Sequence, residues 1–120
     1  MEEIKFSVEG VPRSCPRPRF SRRYGGVQAY LPESYKIYCN SVIEGAKKAS
    51  FAKCLEGNVA VNVIFRRARK NSDIDNMTKA ILDCLTKAGV IRDDKYITCL
   101  TARKVPAENA GVDVTVKLDD

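Results

Sequence analysis

No histidine occurs among the 120 residues of this chain. That absence removes Ser-His and Cys-His nucleophile pairs, His-metal nucleases and most catalytic zinc sites at once. Any chemistry must use carboxylates, Lys, Arg, Tyr or Cys. The five cysteines, Cys15, Cys39, Cys54, Cys84 and Cys99, are odd in number and form no Cys-x-x-Cys pair, and the opening "MEEIKFSVEG" has no signal-peptide apolar core. A reducing cytoplasm is expected. No apolar stretch approaches the ~20 residues of a membrane helix, so a soluble protein without membrane association is predicted. Internal repeats and low-complexity tracts are missing too.

What is present is a length suited to one domain, residues 1–120, and a surplus of positive charge. Twenty-one Lys and Arg against fifteen Asp and Glu give a formal charge of +6, a balance that favours a polyanionic partner.

Ile4, Phe6 and Val8 alternate with polar residues, the period of a half-buried strand ending at Gly10. Residues 10–32 then hold most of the prolines and two adjacent glycines, which predicts a long basic loop, and such loops are usually functional or disordered. From Glu33 to about Ala49 the spacing of Tyr35, Tyr38, Cys39, Val42, Ala46 and Ala49 follows one helical face, with Pro32 suited to the first turn. Val59 to Phe65 is apolar at nearly every position, which predicts a central strand covered on both faces. Ile74, Met77, Ile81, Cys84, Leu85 and Ala88 mark a second helix with Gly89 as its stop. Segments near Ile97 to Lys104 and Val112 to Leu118 read as strands joined by "PAENAG", a predicted hairpin. The fold class is therefore α+β, a single domain in the order β-α-β-α-β-β, with two helices packed on a mixed sheet.

The stretch "RRARKNSDIDN" places Asp73 and Asp75 at the foot of a basic run. One account is local: Ser72 or Asp73 caps a helix, acids in a first turn suit the helix dipole, and Lys79 is spaced for an ion pair with Asp75 or Asp83. The other is a magnesium site. Two carboxylates two residues apart share a side only if Asp73 precedes the helix, which the sequence permits. Magnesium takes hard oxygen ligands and is held by a few carboxylates together with substrate phosphate. Arg66, Arg67, Arg69 and Lys70 would attract a nucleic-acid backbone to it. Asp93 and Asp94 offer further carboxylates in a turn, and Lys79 can offset negative charge on a phosphorane-like transition state.

The continuous stretch "RRARKNSDIDNMTKAILDCLTKAGVIRDDKYI", Arg66 to Ile97, closely resembles the RusA family of Holliday junction resolvases. It carries a basic run, Asp-x-Asp-Asn, a Lys four beyond the second Asp, "LTKAG" and an Asp-Asp pair. The early "GVPRSCPRPRF" looks like the Gly-x-Pro and Arg-Pro-Arg-Phe elements of phage-type members. The resemblance implies a homodimeric Mg²⁺-dependent endonuclease, with Mn²⁺ a possible substitute, that cuts two symmetry-related strands of a four-way DNA junction in recombination and repair. It implies Asp73, Asp75 and Asp94 as catalytic and metal-holding acids, with Lys79 catalytic and Asp93 supporting. Arg13, Arg17, Arg19, Arg22 and Arg23, interleaved with Phe20 and Tyr24, are expected to grip DNA alongside Arg66, Arg67, Arg69 and Lys70. A bacterial origin, with a phage or prophage gene as one source, goes with the resemblance. The alternatives are a non-catalytic nucleic-acid binder and a metal-dependent nuclease preferring flaps, forks or RNA.

Overall fold

A computed structural model describes residues 3–15, 19–21, 28–30, 32–51 and 53–119. Strand β1 (Glu3–Glu9) opens the chain, and two short strands, β2 (Arg19–Ser21) and β3 (Gln28–Tyr30), pair antiparallel within the segment expected to be loop. Helix α1 (Glu33–Ser50), strand β4 (Val59–Arg66) and helix α2 (Ile74–Lys87) follow. A 3-10 turn at Asp94–Tyr96 then leads into β5 (Ile97–Val105) and β6 (Gly111–Leu118). The order β-α-β-α-β-β holds, with the small β2–β3 ribbon added.

The main sheet has the strand order β1-β6-β4-β5 and is mixed: β6 lies antiparallel to both β1 and β4, whereas β4 and β5 run parallel. This overturns the expected hairpin of β5 with β6. The two are close in sequence, but β4 lies between them, because α2 carries the chain back so that β5 can run beside β4, as parallel strands require. The short 106–110 connection then steps across the end of β4 to reach the antiparallel slot next to it.

Both helices cover one face of the sheet. Val59, Val61, Val63 and Phe65 of β4 and Val112, Val114 and Val116 of β6 are buried there with Ile4 and Phe6 of β1. α1 contributes Tyr38, Val42 and Ala46, and α2 contributes Met77, Ile81 and Leu85, each set at four-residue spacing. α1 approaches β1 closely: a Cβ on Gly45 would stand 3.2 Å from the Phe6 ring. Leu55 joins the same core, its N–H donating to the Val90 carbonyl at 2.8 Å.

The expectation that β4 is covered on both faces is corrected here. Asn62 is exposed and Ala60, Ile64 and Arg66 are only half-buried, so its second face looks outward with the polar residues of β1 and β6. Ala60 and Ile64 are apolar without being core. On that open face Arg66 lies over Gly111, where a Cβ would stand 2.8 Å from the Val8 carbonyl oxygen and would also meet the guanidinium. Arg66 pairs with Glu9 at 3.3 Å and with Asp113 at 3.1 Å.

No helix among the described residues is long and apolar enough to cross a membrane. No disulfide forms among the described residues, and Cys39 and Cys84 are buried as their helical spacing predicts. Burial, chiefly, pushes the Cys84 thiol well above its ordinary range and keeps it neutral.

Candidate active site

α2 begins where the basic run ends. Asp73 is in extended backbone, φ −81° and ψ 118°, and its Oδ1 accepts from the Asp75 N–H at 3.0 Å, so it is the N-cap. The condition that Asp73 precede the helix is met, and so is the condition for capping. These two roles separate by substitution. Asparagine caps as well as aspartate, whereas alanine costs about 0.5–2 kcal/mol. Asp73→Asn is therefore expected to keep the melting temperature and Asp73→Ala to lower it. Cleavage falling equally in both would assign the charge, and not the cap, to function.

Past the cap, Asp75, Lys79 and Asp83 recur every fourth residue along one stripe of α2. They line a groove of about 470 Å³ between α2 and the edge strand β5, together with Asp94. Ile74, Thr78 and Leu82 of α2 and Leu100 and Ala102 of β5 supply the rest of its wall. Leu100 is 46% exposed. Thr78 is buried by contrast, only 7% of it reaching solvent, and its hydroxyl has no hydrogen-bond partner among the described residues.

The spaced charges do not form the expected surface pairs. Three ion pairs occur among the described residues, and none involves Asp75, Lys79, Asp83 or Asp94. Asp94 sits just after Asp93, which caps the 3-10 turn by accepting from the Lys95 N–H at 3.2 Å. A hydrogen bond between the two carboxyls, with Asp93's negative charge, raises the proton affinity of Asp94, and Asp83 adds to it. The same bond, with the Lys95 N–H, lowers that of Asp93. A cation placed here would relieve the repulsion.

Asp94 thus feels Asp83, two turns beyond Asp75, and the span from Asp75 to Asp83 is about 12 Å at ~1.5 Å per residue. Asp75 and Asp94 both line the groove. Asp73 is not among its lining residues, and no three acids or cysteines among the described residues stand close enough to hold one ion. The donor chemistry, exposed carboxylate oxygens with no ion pair among the described residues, suits a hard divalent cation such as magnesium.

The basic residues divide. Arg66 is taken by Glu9 and Asp113 and also donates to the Asn109 carbonyl at 3.3 Å. Arg67, in left-handed backbone at φ 51°, donates to the Glu108 carbonyl at 2.8 Å. Both tie the 106–110 connection to the end of β4. Lys70 is exposed, and Arg69 faces a second cavity with Arg13. Arg19 lies in β2, where only the backbone is described, while Arg17, Arg22 and Arg23 fall outside the described residues. Lys104 of β5, which sequence reading did not single out, donates to the Ser72 carbonyl at 2.6 Å and puts another ammonium beside Asp73.

The family model described as endodeoxyribonuclease RusA matches residues 9–117, nearly the whole chain and all of the site. The chain belongs to the RusA family. A curated relative, the crossover junction endodeoxyribonuclease RusA of Aquifex aeolicus (strain VF5), is 27% identical over 120 residues, covering 98% of this chain and 93% of that protein. The resemblance carried by "RRARKNSDIDNMTKAILDCLTKAGVIRDDKYI" is thereby borne out, and as a RusA member the chain is an endodeoxyribonuclease. Asp83, Thr78 and Leu100 are among the six groove residues that sequence reading passed over as site residues, with Ile74, Leu82 and Ala102. Asp83 had a signal, its place on the Asp75–Lys79 stripe. Leu100 had none, because its position depends on β5 pairing with β4.

Proposed function

We propose that this RusA protein resolves four-way DNA junctions by hydrolysing phosphodiesters in two opposed strands, in recombination and repair. The observation that carries the reading is the groove in which Asp75, Asp83 and Asp94 stand beside Lys79 with no ion pair among them. Carboxylates left uncompensated on a cationic protein have a use if a metal ion and a phosphate complete them.

Asp75 and Asp94 are the acids that hold the ion, with Asp73 completing the set and Asp93 supporting Asp94. Magnesium keeps several waters and needs only one or two carboxylates plus substrate phosphate, so a wide groove with few protein donors suits it; Mn²⁺ is a ready substitute. When bound, it polarises the phosphodiester and eases departure of the 3′ oxygen. Lys79, one turn along α2 from Asp75, offsets charge building on the phosphoryl oxygens. Leu100, Ala102 and Leu82 form an apolar wall that limits water at one side of the reacting phosphate.

A two-fold homodimer fits this reading, since equivalent sites match equivalent strands. It also offers the separated acids of one protomer a complement from the other.

The test is digestion of synthetic four-way junction, flap, fork and linear duplex side by side, with and without Mg²⁺. Paired Mg²⁺-dependent nicks in opposed strands of the junction are expected. Preferential cutting of flaps or forks would reassign the substrate, and binding without cutting across metals and junction sequences would remove catalysis from the reading.

A further inference from the structure

We infer that the cavity between the start of α1 and the 69–72 turn is a seat for one backbone phosphodiester of the DNA, beside the acid groove and separate from it. The inference rests on the reading of this chain as a DNA nuclease. It adds where the strand is held.

The cavity has a volume of about 230 Å³, and Arg13 and Arg69 both line it. Neither guanidinium has an ion pair or hydrogen bond with a described residue, and no carboxylate lines the space among the described residues. Two cations sharing one concavity repel each other, and a monoanion between them removes that cost. Arginine's planar fork suits phosphate oxygens.

The remaining lining residues add donors of the right kind. Ser14, Ser34 and Ser72 bring three hydroxyls to the cavity. α1 enters through Pro32, which provides no side-chain cap; the Tyr35 N–H turns back to the Pro32 carbonyl at 3.2 Å, and the helix start, with Pro32 and Ser34 lining the cavity, brings the positive end of the helix dipole to its edge. Tyr35 also lines it, its hydroxyl engaged with Cys39 and Cys15. Cations, hydroxyls and helix amides without an acid make a phosphate site, as a groove for a peptide or a metal would not be.

The cavity is also held in register with the acids. The Cys15 N–H donates to the Asn76 carbonyl at 3.0 Å, fixing the Arg13 loop to the first turn of α2. The Ser72 N–H donates to the Arg69 carbonyl at 3.0 Å, closing the turn that presents Arg69. Ser72 directly precedes the capping Asp73. A strand whose phosphate rests between the arginines therefore passes the start of α2 on its way to the groove.

The experiment measures affinity for an immobile four-way junction in EDTA, by fluorescence anisotropy over a potassium chloride series. The proteins are the full chain, Arg13→Gln/Arg69→Gln, Arg13→Lys/Arg69→Lys, and Lys47→Gln as a charge control in the last turn of α1. The Gln double variant is expected to bind about tenfold more weakly, the loss of a hydrogen-bonded charge contact, with a salt slope shallower by about one unit. The Lys pair is expected to keep the slope while losing part of the affinity, because it retains charge without the fork. It also serves if the Gln pair fails to fold. An unchanged slope and affinity in the Gln pair, a Lys pair equal to the unaltered protein, or an equal loss in Lys47→Gln would overturn the seat. In each case junction cleavage by the unaltered protein would leave the functional reading standing. If the unaltered protein binds no junction, both fall.

Discussion

Asp75→Asn is expected to cut four-way junctions on the order of a thousandfold more slowly than the unaltered protein while binding them at least as well. The size follows from the several kcal/mol that a divalent cation contributes to a phosphoryl transition state, at ~1.4 kcal/mol per factor of ten. Asp75 is exposed and makes no ion pair among the described residues, so the isosteric change leaves the fold alone. Its own N–H still donates to the Asp73 cap. Removing one negative charge beside a polyanion cannot weaken attraction to it. Single-turnover nicking with Mg²⁺, set against binding in EDTA, separates the two quantities. Cleavage within a few fold of the unaltered rate would dismiss Asp75 from the site. Asp94→Asn is expected to behave alike, and mixing the two inactive variants tests the dimer. If Asp75 and Asp94 of one working site come from different protomers, mixed dimers regain one site and nick one strand. If both come from one protomer, the mixture stays inactive.

The second large effect concerns stability. Phe65 is fully buried in β4, an interior strand of the sheet, and directly precedes Arg66, from which the basic run departs. Phe65→Ala is expected to cost about 3–5 kcal/mol, the lost transfer energy plus an unfilled cavity. Against a typical total of ~5–15 kcal/mol this is a large share, and the melting temperature should fall by roughly 10–20 °C. Phe65→Leu, which keeps most of the volume, is expected to cost much less. Thermal unfolding followed by circular dichroism decides it, and equal melting of the Ala variant and the parent would mean that the core relaxes around the gap.

The helices were legible because an apolar residue every three or four positions is the imprint of one buried helical face, and α1 and α2 stop within a residue or two of their expected ends. Strand partners were not. Whether β5 folds back on β6 or lies beside β4 is decided by where α2 packs, a tertiary matter that a five-residue connection does not encode. Ala60 and Ile64 misled for a related reason: apolar character shows tolerance of burial, and only the sheet decides which face receives helices. The short β2–β3 ribbon was hidden by prolines that signal loop. At the site, order and spacing revealed Asp73, Asp75, Lys79 and Asp94 as candidates, and Asp73 turned out to be a helix cap too. Arg66 and Arg67 looked free for DNA in a basic run. The carbonyls and Asp113 that occupy them lie more than forty residues further on, and Glu9 lies 57 residues back, all beyond the reach of local pattern.

The parallel pairing of β4 with β5 has one more result. Every acid of the groove, and the lysine among them, is supplied by the single crossover from the end of β4 to the start of β5. On the proposed reading the cutting parts therefore travel as one contiguous cassette, and the first strand, the ribbon and α1 lie outside it. Change in those outer pieces leaves the acids and their spacing along α2 untouched.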